Sequence, residues 1–153
     1  MAEQNIKIVS SSHLVSERAG ELSEFEFGLT VLHNAFNRWM VRCMSAAGEK
    51  EMTSLEVQLI HHVTHRTTAK KLADICFVLN IEDTHIASYA LKKLVKMGYL
   101  SSEKIGKEVY FSATEAGVAL CQRYREVRER CLIEILLETG ISNEDIGRTA
   151  QLL

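Results

Sequence analysis

Proline is absent from this chain of 153 residues, and only eight glycines punctuate it. Without the strongest helix breaker, Gly, Asn and Ser/Thr clusters are the remaining stops, and a mostly helical fold is the first expectation. No run of 18 apolar residues occurs, so no membrane-spanning helix and no membrane partner are expected. Residues 1–12 are polar around Ile6, Ile8 and Val9 and lack the basic start and long apolar run of a signal peptide, which points to a cytoplasmic protein. The four cysteines, Cys43, Cys76, Cys121 and Cys131, form no CxxC pair and fall inside apolar helical patterns, as reduced, buried thiols do. There is no Gly-rich phosphate loop, nucleophile elbow or HExxH, so neither an enzyme nor a cofactor is expected.

Apolar residues make up 46% of the chain, enough for one ordinary domain with a core. A net charge of −2 lacks the strong basic excess of a simple nucleic-acid coat, but the charge is segregated. Residues 66–112 hold eight basic and five acidic side chains, a local +3, which leaves −5 for the rest.

Phe25, Leu29, Leu32, Phe36, Met40 and Cys43 recur at steps of three and four and predict a long amphipathic helix over residues 23–47. A second stripe, Phe27, Val31, Ala35 and Trp39, widens the apolar arc, so the helix should be buried on two sides, the second by another subunit. Thr53 and Ser54 cap a shorter helix over 54–65, and Thr67 or Thr68 caps a third over 68–79. After the turn at 80–82, Asp83 is the N-cap of a fourth helix closed by Gly98. The period then changes to two, and 99–104 with 108–112 predict a β-hairpin. An uninterrupted helix should follow over 114–140, and a capped terminal helix from Ser142 to the end.

Three short helices followed by a hairpin within 53–113 is the order of a winged helix-turn-helix, whose second helix of the pair enters the DNA major groove. With Ala87, Ala90, Leu91 and Leu94 facing inward, the outward candidates for base and phosphate contact are Thr84, His85, Ser88, Tyr89, Lys92 and Lys93. Lys104 and Lys107 at the hairpin tip are candidates for the DNA backbone.

The text Leu72-Ala73-Asp74-Ile75, Asp83-Thr84-His85-Ile86 and 91–100, with the junction 112–117, resembles the MarR-type winged-helix transcription regulators over about residues 23–153. The resemblance implies a homodimer built by the first and last helices, a repressor acting on a pseudo-palindromic operator, and a small-molecule effector. It implies an arm over 1–22, dimerisation helices over 23–52 and 114–153, and a DNA-binding domain over 53–113. Two departures stand out. The family's Asp-x-Arg wing pattern is replaced by 104–108 without Arg, and Lys reads a minor groove less well. Glu82 and Asp83 also place negative charge at the start of the reading helix. They leave open a winged-helix module for protein interaction that does not read DNA.

Three further readings concern sensing. His61 and His65 lie four apart in HHxxH, a spacing that can hold a metal, but two ligands do not close a zinc site, and a plain histidine cluster is the expectation. Cys43 beside Arg38 and Arg42 is a candidate redox sensor, set against an inert thiol on the apolar stripe. Phe25, Phe36, Trp39 and Tyr124 could wall an effector pocket or belong to core and dimer contacts.

Overall fold

The computed structural model describes residues 18–152, so most of the arm expected over 1–22 lies outside the described residues. The chain divides into two compact units, one ending at Trp39 and the other beginning at Met40. The first helix, α1 (Gly20–Ala46), runs from one into the other. In the first unit Phe36 and Trp39 stack with ring centroids 5.9 Å apart. Of the expected stripe, Phe25, Leu29, Leu32 and Phe36 are exposed, while Met40 and Cys43 are buried.

The second unit holds the remaining elements, α2 (Ser54–Thr64), β1 (Lys70–Lys71), α3 (Leu72–Val78), α4 (Thr84–Lys96), β2 (Leu100–Ile105), β3 (Glu108–Ala113), α5 (Glu115–Arg128), α6 (Glu134–Glu138) and α7 (Asn143–Leu152). α2 starts at a complete capping box: the Thr53 hydroxyl accepts the Glu56 N–H, and the Glu56 carboxylate accepts the Thr53 N–H. Asp83 caps α4 as expected, its carboxylate accepting the His85 N–H at 2.8 Å. Gly98, at φ 83°, ends that helix in the left-handed region. Asn80 supplies a further left-handed turn, at φ 51°, between α3 and α4. The core gathers Met44, Val57, Leu59, Ile60, Ile75 and Leu91 with Leu94, Leu100, Phe111 and Leu120, all nearly solvent-free.

Three expectations are corrected. The third helix does not begin at Thr68: Lys70 and Lys71 pair antiparallel with Phe111 and Tyr110, which completes a three-stranded sheet of order β1-β3-β2. Helical periodicity is a local signal and carries no trace of a strand partner about forty residues away. The long helix after Thr114 is also interrupted, because Glu129–Ile133 forms a π-helical turn between α5 and α6. That turn offsets the 3.6-residue register, and Cys131 within it is exposed, while Cys43 and Cys76 are buried and Cys121 is half-buried.

The junction after the wing is held by close backbone approach. Thr114 donates its hydroxyl to the Gly98 carbonyl at 2.7 Å and accepts the Gly117 N–H at 3.1 Å. Gly117 lies so near Tyr99 that a Cβ there would stand 2.1 Å from the Tyr99 carbonyl oxygen.

Candidate nucleic-acid interface

α4 presents two different sides. Ala87, Ala90, Leu91 and Leu94 are buried at helical spacing, which turns His85, Tyr89, Lys92 and Lys96 outward in steps of four, three and four. Thr84 and His85 are exposed on the first turn, Tyr89 is 75% exposed, and Ser88 is half-buried at the flank. Two exposed residues of this face were not among the sequence candidates, Ile86 and Lys96. The spacing 85, 89, 92, 96 would have found Lys96. Ile86 carries no sequence signal for this face, because isoleucine is among the residues most often buried.

Lys93 has a different environment from Lys92. Its ammonium donates to the Glu56 carboxylate at 3.0 Å and to the Glu51 carbonyl at 2.9 Å. The Glu56 side chain is only 5% exposed. Lys93 thus ties α4 to the capped start of α2, and the capping-box carboxylate serves two donors at once. An open cleft of about 610 Å³ lies along this flank, lined by Glu51, Tyr89, Lys92, Lys93, Lys96 and Met97.

Lys70 is similarly engaged. Its ammonium donates to the carbonyls of Val63 at 3.1 Å, of His65, and of Thr68 at 3.5 Å, neutralising the carbonyl end of α2. Lys71 lies over the Tyr110 ring at 5.7 Å. Lys104 and Lys107 are exposed on either side of Gly106, which takes φ 63° at the wing tip. Of the local cationic excess, Arg66 and the lysines Lys92, Lys96, Lys104 and Lys107 face solvent.

The histidines and cysteines are placed as follows. His61 meets the Tyr124 ring edge-on at 4.4 Å, and its buried Nε2 has no hydrogen-bond partner among the described residues. Burial lowers the pKa of His61, and burial and then the Lys70 charge lower that of His62. Among the described residues no group of three His, Cys, Asp or Glu is arranged to hold a metal ion. Cys43 donates to the Tyr124 carbonyl at 3.6 Å, and burial pushes its thiol pKa up, as it does for Cys121 and Cys76. A second cleft of about 560 Å³ opens between α2 and α5, where His61, His65, Cys121, Tyr124, Arg125 and Arg128 are among its walls.

Residues 52–117 match the winged helix DNA-binding domain family. A comparison with curated protein sequences gives no match. Among solved structures, the chain is similar to a MarR transcriptional regulator from Methanosarcina mazei Go1, at 18% identity over 84% of this chain and 90% of that one, with a TM-score of 0.68. A MarR-family transcriptional regulator from Rhodococcus sp. RHA1 aligns at 11% identity over 86% and 90% of the two chains, with a TM-score of 0.66. A mutant MarR from E. coli complexed with operator DNA aligns at 16% identity over 90% and 96%, with a TM-score of 0.63. Residues 52–117 are thus similar to winged helix DNA-binding domains, and the chain has the winged helix-turn-helix fold of the MarR structures.

Proposed function

We propose that this protein is a transcription regulator, a repressor that binds a pseudo-palindromic operator as a homodimer and places α4 in the major groove. The observation that carries the reading is the solvent face of α4. A helix fits the groove, and this one offers Thr84, His85 and Tyr89 where base edges approach, with Lys92 and Lys96 further along toward the phosphates. Lys104 and Lys107 on the wing reach the backbone beside it. Lys93 supports the helix through Glu56 rather than reading DNA.

Dimerisation is supported by the exposed residues of α1, Leu22, Phe25, Leu29, Leu32 and Phe36, which repeat in steps of three and four as a helix-pairing seam does. Ile135, Leu137, Ile146 and Leu152 leave a comparable apolar surface at the other end of the chain. Sedimentation should give a dimer for the protein and a monomer for a Leu29→Glu, Leu32→Glu variant.

The cleft between α2 and α5 is the effector site in this reading. Arg125, Arg128 and the unpartnered His61 Nε2 suit a small organic anion, and a thermal-shift screen of carboxylic acids against the protein and an Arg125→Ala variant tests it.

DNA binding is tested by unbiased selection of duplex DNA followed by a salt series. Four solvent-facing lysines per protomer give a dimer eight phosphate partners, so log K should fall with log salt at a slope near −7. Lys92→Ala should reduce that slope by about 2, one contact in each protomer. No enriched DNA, or a slope near zero, would leave the fold to a protein-interaction role.

A further inference from the structure

The reading helix lacks the side chains that discriminate bases most strongly. α4 runs Thr-His-Ile-Ala-Ser-Tyr-Ala-Leu-Lys-Lys-Leu-Val-Lys and contains no Arg, Asn or Gln, the residues whose paired donors and acceptors fit guanine or adenine edges. Its lysines begin at Lys92, about 12 Å along the axis from Thr84, so they stand toward the groove rim when the N-terminus enters first. The first two turns present Thr84 and His85 beside a large apolar surface: Ile86 is 55% exposed and Tyr89 is 75% exposed. These two are three residues apart and are neighbours on the helix surface. On the Ile86 side the nearest lysine, Lys93, is drawn to Glu56 and Glu51, while Lys92 and Lys96 lie beyond Tyr89 toward the C-terminal end of the helix.

We infer that Ile86 and Tyr89 form a thymine-reading surface, which packs on the C5-methyl group of a thymine in each operator half-site. The major-groove edge of a base pair offers one apolar feature, that methyl group, and an isoleucine and an aromatic ring are its chemical complement. Sequence preference then comes from methyl burial together with single hydrogen bonds from Thr84 and His85, and the lysines contribute affinity without selecting bases. The inference rests on the reading that α4 enters the major groove. It adds which base the helix selects and by which atoms.

The test uses the full-length protein and the duplex recovered by selection. Each thymine and its symmetry mate in the other half-site are replaced together by deoxyuridine, which keeps the base pairs and removes only the methyl groups. Burial of one methyl corresponds to about fourfold in affinity, hence about fifteenfold when both half-sites lose it. The expected result is a loss of that size at a symmetric pair of positions, with an unchanged salt slope. Ile86→Ala and Tyr89→Ala, both at exposed positions, should bind the thymine and uracil duplexes alike. DNA binding with a steep salt slope but no uracil substitution above twofold would overturn the inference and leave operator binding intact. So would a full uracil penalty retained by both variants. Failure to bind any selected duplex would overturn both readings.

Discussion

Gly117 lies in the first turn of α5, where alanine would ordinarily strengthen a helix by up to about 1 kcal/mol. Here the same substitution should weaken the protein. The added Cβ would stand 2.1 Å from the Tyr99 carbonyl oxygen, where ordinary contact begins at 3.4 Å. Tyr99 cannot easily retreat. Its N–H donates to the Leu94 carbonyl at 3.1 Å, its carbonyl accepts the Thr114 N–H at 3.1 Å, and its phenol donates to Glu49 at 2.8 Å. The strain of forcing a methyl into such a site is about 3 kcal/mol, and the helix-propensity gain offsets at most a third of it. A net loss of about 2 kcal/mol lowers Tm by roughly 4–8 °C for a chain of this size. Gly28→Ala, in the middle of α1 with nothing within 4 Å, is the control and should be neutral or stabilising. Thermal denaturation of both variants by circular dichroism decides the matter. A Gly117→Ala protein as stable as the parent would refute the claim that close approach of α5 to Tyr99 sets the root of the wing.

Lys93→Ala should cost about 1–3 kcal/mol in a urea titration because it leaves the Glu56 carboxylate buried beside fewer donors, whereas Lys92→Ala should weaken DNA binding without lowering stability. Equal effects of the two on both measurements would contradict the separate roles assigned to them. Stability should fall as the pH drops below 6.5: His61 and His62 have lowered pKa values, so the unfolded chain takes up protons before the folded one does. The contribution is fully present above that pH, and His61→Gln should flatten the dependence of Tm on pH. With a limiting alkylating reagent, mass spectrometry should find Cys131 modified first, since burial raises the thiol pKa of Cys43, Cys76 and Cys121 and Cys131 alone is exposed.

Much of the architecture was legible in the residues because it rests on local physics. Asp83 before α4, Thr53 before α2 and Gly98 after α4 are short-range capping devices, and each was visible as a residue type at a fixed offset. The change of period after Gly98 likewise announced the wing. The reading face was only partly legible. Helical spacing separates inside from outside, but it could not tell that Lys93 and Lys70 find acceptors within the protein while Lys92 and Lys96 are exposed. The partner of Lys93, Glu56, is 37 residues away along the chain.

By itself the sequence determined the order of helices and strands, the caps that bound them, the cationic segment and the resemblance that follows from these. Each is set by interactions between residues close along the chain. Tertiary structure decided the third strand of the sheet, the π turn that turns Cys131 outward, and the close approach that demands Gly117. It also decided which of the lysines remain exposed to solvent. These depend on what a distant segment places beside a residue, and pairing, burial and charge neutralisation act through space rather than along the chain.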